Sequence, residues 1–301
     1  MTDTTQTEST ITHTSSGVRW GYIDFHKLKE LWFHTGTICN MKCPDCFEHS
    51  GPGIHRIEMP KLDDIKPFMD EAIKLEVDQF SFTGGEPFIN PDIIEILKYG
   101  LKIAPCLVLT NGTEPLLSKF DKLIELQNYK HELTFRVSLD HPDKEKHDKN
   151  RGSGNFDKAL DTIKKLQNAG FHVSVASRRN TNPITKPYEM AFKEIFDSHG
   201  IVGDVQVISF PDLENEEVSE ISEDCMCKYH SPETYSKFMC AFSRMVVKKN
   251  SKMQIYSCTL VDDDPFYELG KDLTTSTDTR TLLKHPRCYA CFAGGMSCSE
   301  L

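Results

Sequence analysis

The chain has no long apolar run, a deficit of cations and no signal for export. No hydrophobic stretch approaches the roughly 20 residues that a membrane-spanning helix needs, so a membrane is not expected as a partner. The first 17 residues, Met1 to Gly17, are rich in Thr and Ser and lack the apolar core of a signal peptide. They are expected to form a disordered tail, with residues 1–28 together making the tail and lead-in. Thirty-five Lys and Arg stand against 45 Asp and Glu, a net charge of −10. That balance argues against binding nucleic acid through its phosphates, and so against a role on tRNA. What the chain does have is cysteine, eleven in 301 residues. Without an export signal these are expected as thiols in a reducing cytoplasm, where clustered cysteines more often bind metal than pair.

Three of them, Cys39, Cys43 and Cys46, are spaced C-x3-C-x2-C in the run from Thr37 to Phe47. A [4Fe–4S] cube needs a ligand on each iron, so three thiolates leave one iron open to another molecule. A zinc ion completed by His34 or His49 is the alternative for the same cysteines. The spacing resembles the signature of the radical S-adenosylmethionine (SAM) enzymes. In that family the amino and carboxylate groups of SAM chelate the open iron. The resemblance implies that an electron from a flavodoxin- or ferredoxin-type donor cleaves SAM to a 5′-deoxyadenosyl radical, which takes a hydrogen atom from an unactivated C–H bond.

Short β-rich runs alternate with amphipathic segments along the chain. Strands are predicted at Leu31–Thr35, Gln79–Thr83, Cys106–Thr110, Leu133–Leu139, His172–Ala176 and Val205–Ile208. Helical segments are predicted at Asp63–Leu75, Asp92–Lys98, Glu114–Leu126, Phe156–Asn168 and Pro187–Ser198. Strands joined by helical crossovers pair in parallel with right-handed connections. The fold class is therefore α/β, a partial (β/α)6 TIM-like barrel as the resemblance also implies, over residues 29–210. The cysteine loop directly follows the first strand, and barrels of this kind gather reacting groups at the C-terminal ends of their strands. Residues 211–301 form a small cysteine-rich extension. It opens with seven acidic and no basic side chains between Asp212 and Asp224, either a solvated loop or a lid over a cationic substrate.

The run Thr83-Gly84-Gly85-Glu86-Pro87 ends the second strand. Glycines let a backbone approach a ligand closely, and a carboxylate complements an ammonium group. The resemblance implies that Gly84, Gly85, Glu86 and Pro87 meet the amino end of SAM. It likewise implies SAM contacts from Thr110 and Asn111 after the third strand and from Ser138 and Asp140 after the fourth. Asp140 is equally suited to hold the turn into His141-Pro142. Arg151 is either a SAM contact or a solvated residue at a helix start. Arg178 and Arg179 close the fifth strand and are suited to a carboxylate, with one of the two expected to face solvent. Many relatives carry an aromatic residue before the third cysteine, where this chain has Asp45 and Phe47 stands on the other side.

After the barrel come Cys225, Cys227, Cys240, Cys258, Cys288, Cys291 and Cys298. Cys240-x17-Cys258 brackets two β-like runs, Met245–Lys248 and Met253–Tyr256, joined by a Lys-Asn-Ser-Lys turn suited to a hairpin. Folding it returns Cys258 towards Cys240, and Cys288 and Cys291 then supply two more ligands. The layout resembles the twitch and SPASM extensions of radical SAM enzymes, which implies an auxiliary [4Fe–4S] cluster on these four. The glycine usual before the second cysteine of that hairpin is missing here. A four-cysteine zinc site is the alternative. Cys225, Cys227 and Cys298 are left for a second auxiliary cluster or for hydrogen donation, and Cys106 is expected in the core. His26, His34, His49 and His55 flank the cluster loop as a general base or as packing residues.

The function expected is a cytoplasmic radical SAM oxidation of a small molecule, a net dehydrogenation in which the auxiliary cluster takes the remaining electron. The segment before the first strand is too short for the winged-helix module that grips leader peptides in many relatives. Modification of a ribosomal peptide or protein side chain by oxidation, cross-linking or epimerisation is the alternative. A non-catalytic metal-binding redox sensor is the third and would need no SAM pocket.

Overall fold

The computed structural model describes residues 12–178, 188–210 and 219–294. Ten strands are described: β1 (Tyr22–Asp24), β2 (Glu30–His34), β3 (Gln79–Thr83), β4 (Cys106–Thr110), β5 (Leu133–Ser138), β6 (His172–Arg178), β7 (Val207–Phe210), β8 (Ser243–Lys249), β9 (Lys252–Tyr256) and β10 (Arg280–Leu282). Strands β2 to β7 lie side by side in parallel, each joined to the next through helical crossovers. Alternation along the strands sets the two layers. Leu31, Phe33, Phe80, Phe82, Val108, Phe135, Val137 and Val175 face the helices and form one core with Ile65, Met69, Leu97, Leu160 and Ile163. Trp32 and Leu107 face the opposite way and pack with residues of the C-terminal extension.

The partial barrel expected from the sequence is present, but its sheet is larger than six strands. Strand β8 pairs in parallel with the free side of β2, and β9 folds back on β8, giving the order β7-β6-β5-β4-β3-β2-β8-β9. The sheet stays open, with β7 and β9 as its edges. The predicted hairpin is present, with Met245 opposite Tyr256. Asn250 and Ser251 form its turn with φ of 50° and 58°, the left-handed pair that matches the twist of a two-residue hairpin.

Three local differences have physical reasons. The segment Lys144–Arg151 is a helix that periodicity does not reveal, because its sequence KEKHDKNR buries only His147. The helix predicted over 114–126 is broken into Glu114–Leu117 and Phe120–Glu125. Between them the Lys119 ammonium group donates to the carbonyl of Phe88 at 2.7 Å, tying the break to the loop after β3. Residues 12–28 of the lead-in are folded onto the C-terminal extension. Strand β1 pairs with β10, burying Ile23, and Gly21 donates to the Ile221 carbonyl. Residues 1–11 lie outside the described residues, as do 212–218 of the acidic run, Arg179 and Cys298.

Candidate active site

Strand β2 ends at His34, and the chain then loops through the three cysteines. Backbone hydrogen bonds from Cys39 to the Gly51 carbonyl, from Gly51 to Thr37 and from His49 to Cys46 fold this loop on itself. The Gly84-Gly85 segment docks on it, Gly85 donating to the Gly36 carbonyl at 2.8 Å and Glu86 to the Ile38 carbonyl at 3.1 Å. A Cβ at Gly85 would lie 2.2 Å from the Ile38 carbonyl oxygen, and one at Gly84, whose φ is +139°, 2.7 Å from that of Gly36. The glycines are thus required by the approach of one loop to another, in addition to any approach to a ligand.

Glu86 is buried and accepts three hydrogen bonds: from the Asn111 N–H at 2.8 Å, the Thr110 hydroxyl at 2.9 Å and the Phe88 N–H at 3.2 Å. Burial still pushes its carboxyl up to about 7, against the pull of these donors. Its carboxylate therefore holds the turn after β4. Asn111, so placed, directs its side-chain amide at the Cys39 sulfur (3.7 Å) and at the side-chain oxygen Oδ1 of Asn40 (2.9 Å). The Met41 N–H also points to the Cys39 sulfur, at 3.4 Å. Burial pushes the Cys39 thiol up to about 11 and raises that of Cys43 as well.

Across from these residues, Asp140 at the end of β5 lies 2.8 Å from the Arg151 guanidinium and accepts from the Asn150 amide at 2.5 Å. Burial raises its carboxyl, but Arg151 and Asn150 outweigh burial and hold it below the usual range. At the mouth, Arg178 forms two hydrogen bonds to Asp45, one to the carboxylate at 2.8 Å and one to the carbonyl at 2.6 Å. The acid that replaces the usual aromatic residue thus joins β6 to the cysteine loop.

One cavity of about 160 Å³ is walled by all of these elements. Of the residues singled out from the sequence, Cys39, Cys43, Cys46, Gly84, Gly85, Thr110, Asn111, Ser138, Asp140, Arg151 and Arg178 line it, and so does Phe47. Glu86, Pro87, His26, His34, His49 and His55 are not among the residues that line it. Sequence reasoning missed Asn150 and the apolar side formed by Trp32, Leu109, Phe210 and Leu260. The alternation of Trp32 and Leu109 with outward-facing neighbours was the available signal for two of them.

The second cysteine set surrounds a smaller cavity of about 20 Å³ lined by Cys240, Cys258, Cys288 and Cys291 together with Leu260 and Arg287. Leu260 lines both cavities. Arg287 links the two regions, donating to the carbonyls of Leu260 at 3.0 Å and Phe47 at 3.2 Å. Cys225 packs against the same apolar cluster, whereas Cys227 is exposed. Cys106 is buried in the main core, as expected.

Zinc and an iron–sulfur cluster place different demands on these donor sets. Thiolates on one zinc ion, at about 2.3 Å from it, stand about 3.8 Å apart. Among the described residues, no three cysteine sulfurs lie within 4.8 Å of one another. Neither set is gathered on a single point, and three or four thiolates are a donor set that an iron–sulfur cluster accepts. The one close group of three among the described residues, His34, Glu48 and Asp262, is already an ion-pair network, with Arg56 2.9 Å from Asp262 and 3.5 Å from Glu48.

Residues 33–181 match the family model described as the Radical SAM superfamily. The AdoMet-dependent heme synthase of Methanosarcina barkeri is 31% identical over 222 residues, which are 72% of this chain and 58% of that protein. The antilisterial bacteriocin subtilosin biosynthesis protein AlbA of Bacillus subtilis is 34% identical over 157 residues, 52% of this chain and 34% of that one. The chain thus spans less than two thirds of the length of either relative. The fold is similar to that of Streptococcus suis SuiB bound to S-adenosylmethionine, with a TM-score of 0.62 at 16% identity over 84% of this chain and 66% of that one. The chain belongs to the radical SAM superfamily, whose cofactors are a [4Fe–4S] cluster and SAM.

Proposed function

We propose that this chain oxidises a small molecule by removing a hydrogen atom and then an electron. Cys39, Cys43 and Cys46 would hold the catalytic cluster, and Cys240, Cys258, Cys288 and Cys291 an auxiliary one. Bound there, the first cluster with SAM supplies a carbon radical that takes a hydrogen atom from a C–H bond, and the second supplies an acceptor for the electron left behind.

The observation that carries this reading is Leu260, which lines both the cavity of the three cysteines and that of the four. Leu260 borders both sites, which places them side by side for passage of an electron. Gly84, Gly85, Asn111 and Ser138 offer SAM a close backbone and neutral polar groups on one side of the cavity. Trp32, Leu109, Phe210 and Leu260 offer the substrate an apolar side. Asp140 pairs with Arg151, Asp45 with Arg178, and Glu48, the third carboxylate along the cavity, with His34 and Arg56. The proton that the substrate loses passes to solvent. The first electron would come from a flavodoxin- or ferredoxin-type donor.

A second reading, modification of a peptide, is favoured by the relative that acts in bacteriocin biosynthesis. Fractionated cell extract tests the two: reconstituted protein is incubated anaerobically with SAM and dithionite, and 5′-deoxyadenosine is quantified. Stimulation by the low-mass fraction is expected. Stimulation by the peptide fraction alone would overturn the first reading in favour of the second.

A further inference from the structure

Arg244, on β8, is fully buried. Its guanidinium donates to the carbonyls of Cys240 (3.0 Å), Ser243 (2.8 Å), Ser257 (3.5 Å) and Ser276 (3.0 Å) and to the Thr279 hydroxyl (3.1 Å). The Phe25 ring covers it, 3.9 Å from ring centroid to guanidinium carbon. Every one of these partners is neutral. Three other arginines of this region each meet a carboxylate: Arg56 meets Asp262 at 2.9 Å, Arg151 meets Asp140 at 2.8 Å and Arg287 meets Asp263 at 3.1 Å. Among the described residues, the acidic groups that bear on Arg244 are the thiols of Cys240 and Cys258.

A buried cation held only by neutral acceptors is oriented but not neutralised, and that is costly. Its position says what neutralises it. The carbonyls it binds belong to Cys240 itself and to the residue before Cys258, so the guanidinium lies between the two segments that carry these sulfurs. Four thiolates around one iron–sulfur cluster bear net negative charge, and one electron more increases it. Reduction potentials of such clusters respond to net charge, hydrogen bonding and burial.

We infer that Arg244 is the buried counter-ion of the four-cysteine site and raises the reduction potential of its cluster, fitting that cluster to accept an electron. The inference rests on the reading that these four cysteines hold a [4Fe–4S] cluster. Arg244 acts through charge and touches neither substrate nor SAM, so it is a positioning and tuning residue. The electron balance is simple: the substrate radical loses one electron to the cluster and one proton to solvent, and Arg244 offsets the added charge.

The test is an anaerobic redox titration followed by EPR, in the full chain carrying Cys39→Ala, Cys43→Ala and Cys46→Ala so that only the second cluster contributes. Arg244→Gln is expected to shift the reduced-to-oxidised ratio at fixed potential at least tenfold towards oxidised, a midpoint lower by 59 mV for one electron. Arg244→Lys keeps the charge and loses the fork of hydrogen bonds, and its ratio is expected within threefold of the parent. An unchanged midpoint in Arg244→Gln would overturn the inference, as would an equal shift in the two variants. Should Arg244→Gln not fold, Arg244→Lys decides alone, a tenfold shift overturning the inference and a threefold or smaller one supporting it. Absence of any cluster signal in the parent, with zinc bound instead, would sink the four-cysteine reading itself, an outcome distinct from an unmoved midpoint.

Discussion

Substituting Gly85 by Ala probes how the two loops of the proposed SAM site depend on each other. The new methyl group would stand 2.2 Å from the Ile38 carbonyl oxygen, 2.6 Å from its carbon and 3.0 Å from the Thr37 carbonyl carbon. All three are backbone atoms, so no side chain can swing aside. The Gly84-Gly85 segment must retreat by about 1 Å, and its hydrogen bonds to Gly36 and Ile38 are strained or lost. At about 1 kcal/mol each, that removes about 2 kcal/mol of docking between the loops. A ligand spanning both loops is displaced by a similar distance, and a misplacement of about 1 Å costs on the order of 100-fold in rate. The assay is anaerobic 5′-deoxyadenosine formation, with SAM affinity measured by equilibrium dialysis and iron counted in the same samples. Iron content is expected to stay at the wild-type value while the rate falls about 100-fold. Gly53→Ala is the control: Gly53 also has a positive φ, +74°, but nothing lies within 4 Å of its added Cβ. A rate within threefold of wild type for Gly85→Ala, or equal losses in the two variants, would refute the docking argument.

Glu86 sets a pH dependence. Its carboxyl is raised from 4.5 to about 7 in the folded chain, so the folded state holds this proton where the unfolded state has released it. The resulting stability is present below about 4.5 and is lost as pH rises towards about 7, an effect of about 3 kcal/mol. Melts of the cluster-free protein should show this decline in wild type and lack it in Glu86→Gln; identical slopes would contradict it. Asp140→Ala strands the Arg151 guanidinium and should cost about 3 kcal/mol in urea unfolding, much of it recovered by adding Arg151→Met. A loss below about 1 kcal/mol would mean that the pair is solvated. Replacing Cys240 and Cys258 by Ala should remove about four irons per chain and spare the first cluster, whereas unchanged iron would move the second site elsewhere.

Sequence periodicity read the barrel strands to within a few residues because each sets apolar side chains against a core. Glu30–His34 and Gln79–Thr83 are buried throughout. The hairpin was legible from its Asn-Ser turn. Pairing of β8 with β2 was not, since a parallel contact between residues some two hundred apart leaves no local pattern. For the same reason β1 passed as a lead-in: its three residues become a strand only against Arg280–Leu282. At the site, the spacing of Cys39, Cys43 and Cys46 and the Gly84-Gly85 pair were plain. The resemblance implies that Glu86 meets the amino end of SAM; that its carboxylate also gathers three donors from its own turn and the end of β4 depends on how β3 and β4 lie together. The ion pair of Asp45 with Arg178 joins residues 133 positions apart and needed the fold to be seen.

The most direct test of the account compares wild type with the Cys39→Ala, Cys43→Ala, Cys46→Ala variant after anaerobic reconstitution with iron and sulfide. Both receive SAM and dithionite, and 5′-deoxyadenosine is quantified. Formation by wild type and none by the variant, which keeps its second cluster, is the expected result. Undiminished 5′-deoxyadenosine from the variant would contradict the assignment of these three cysteines as the site of SAM cleavage.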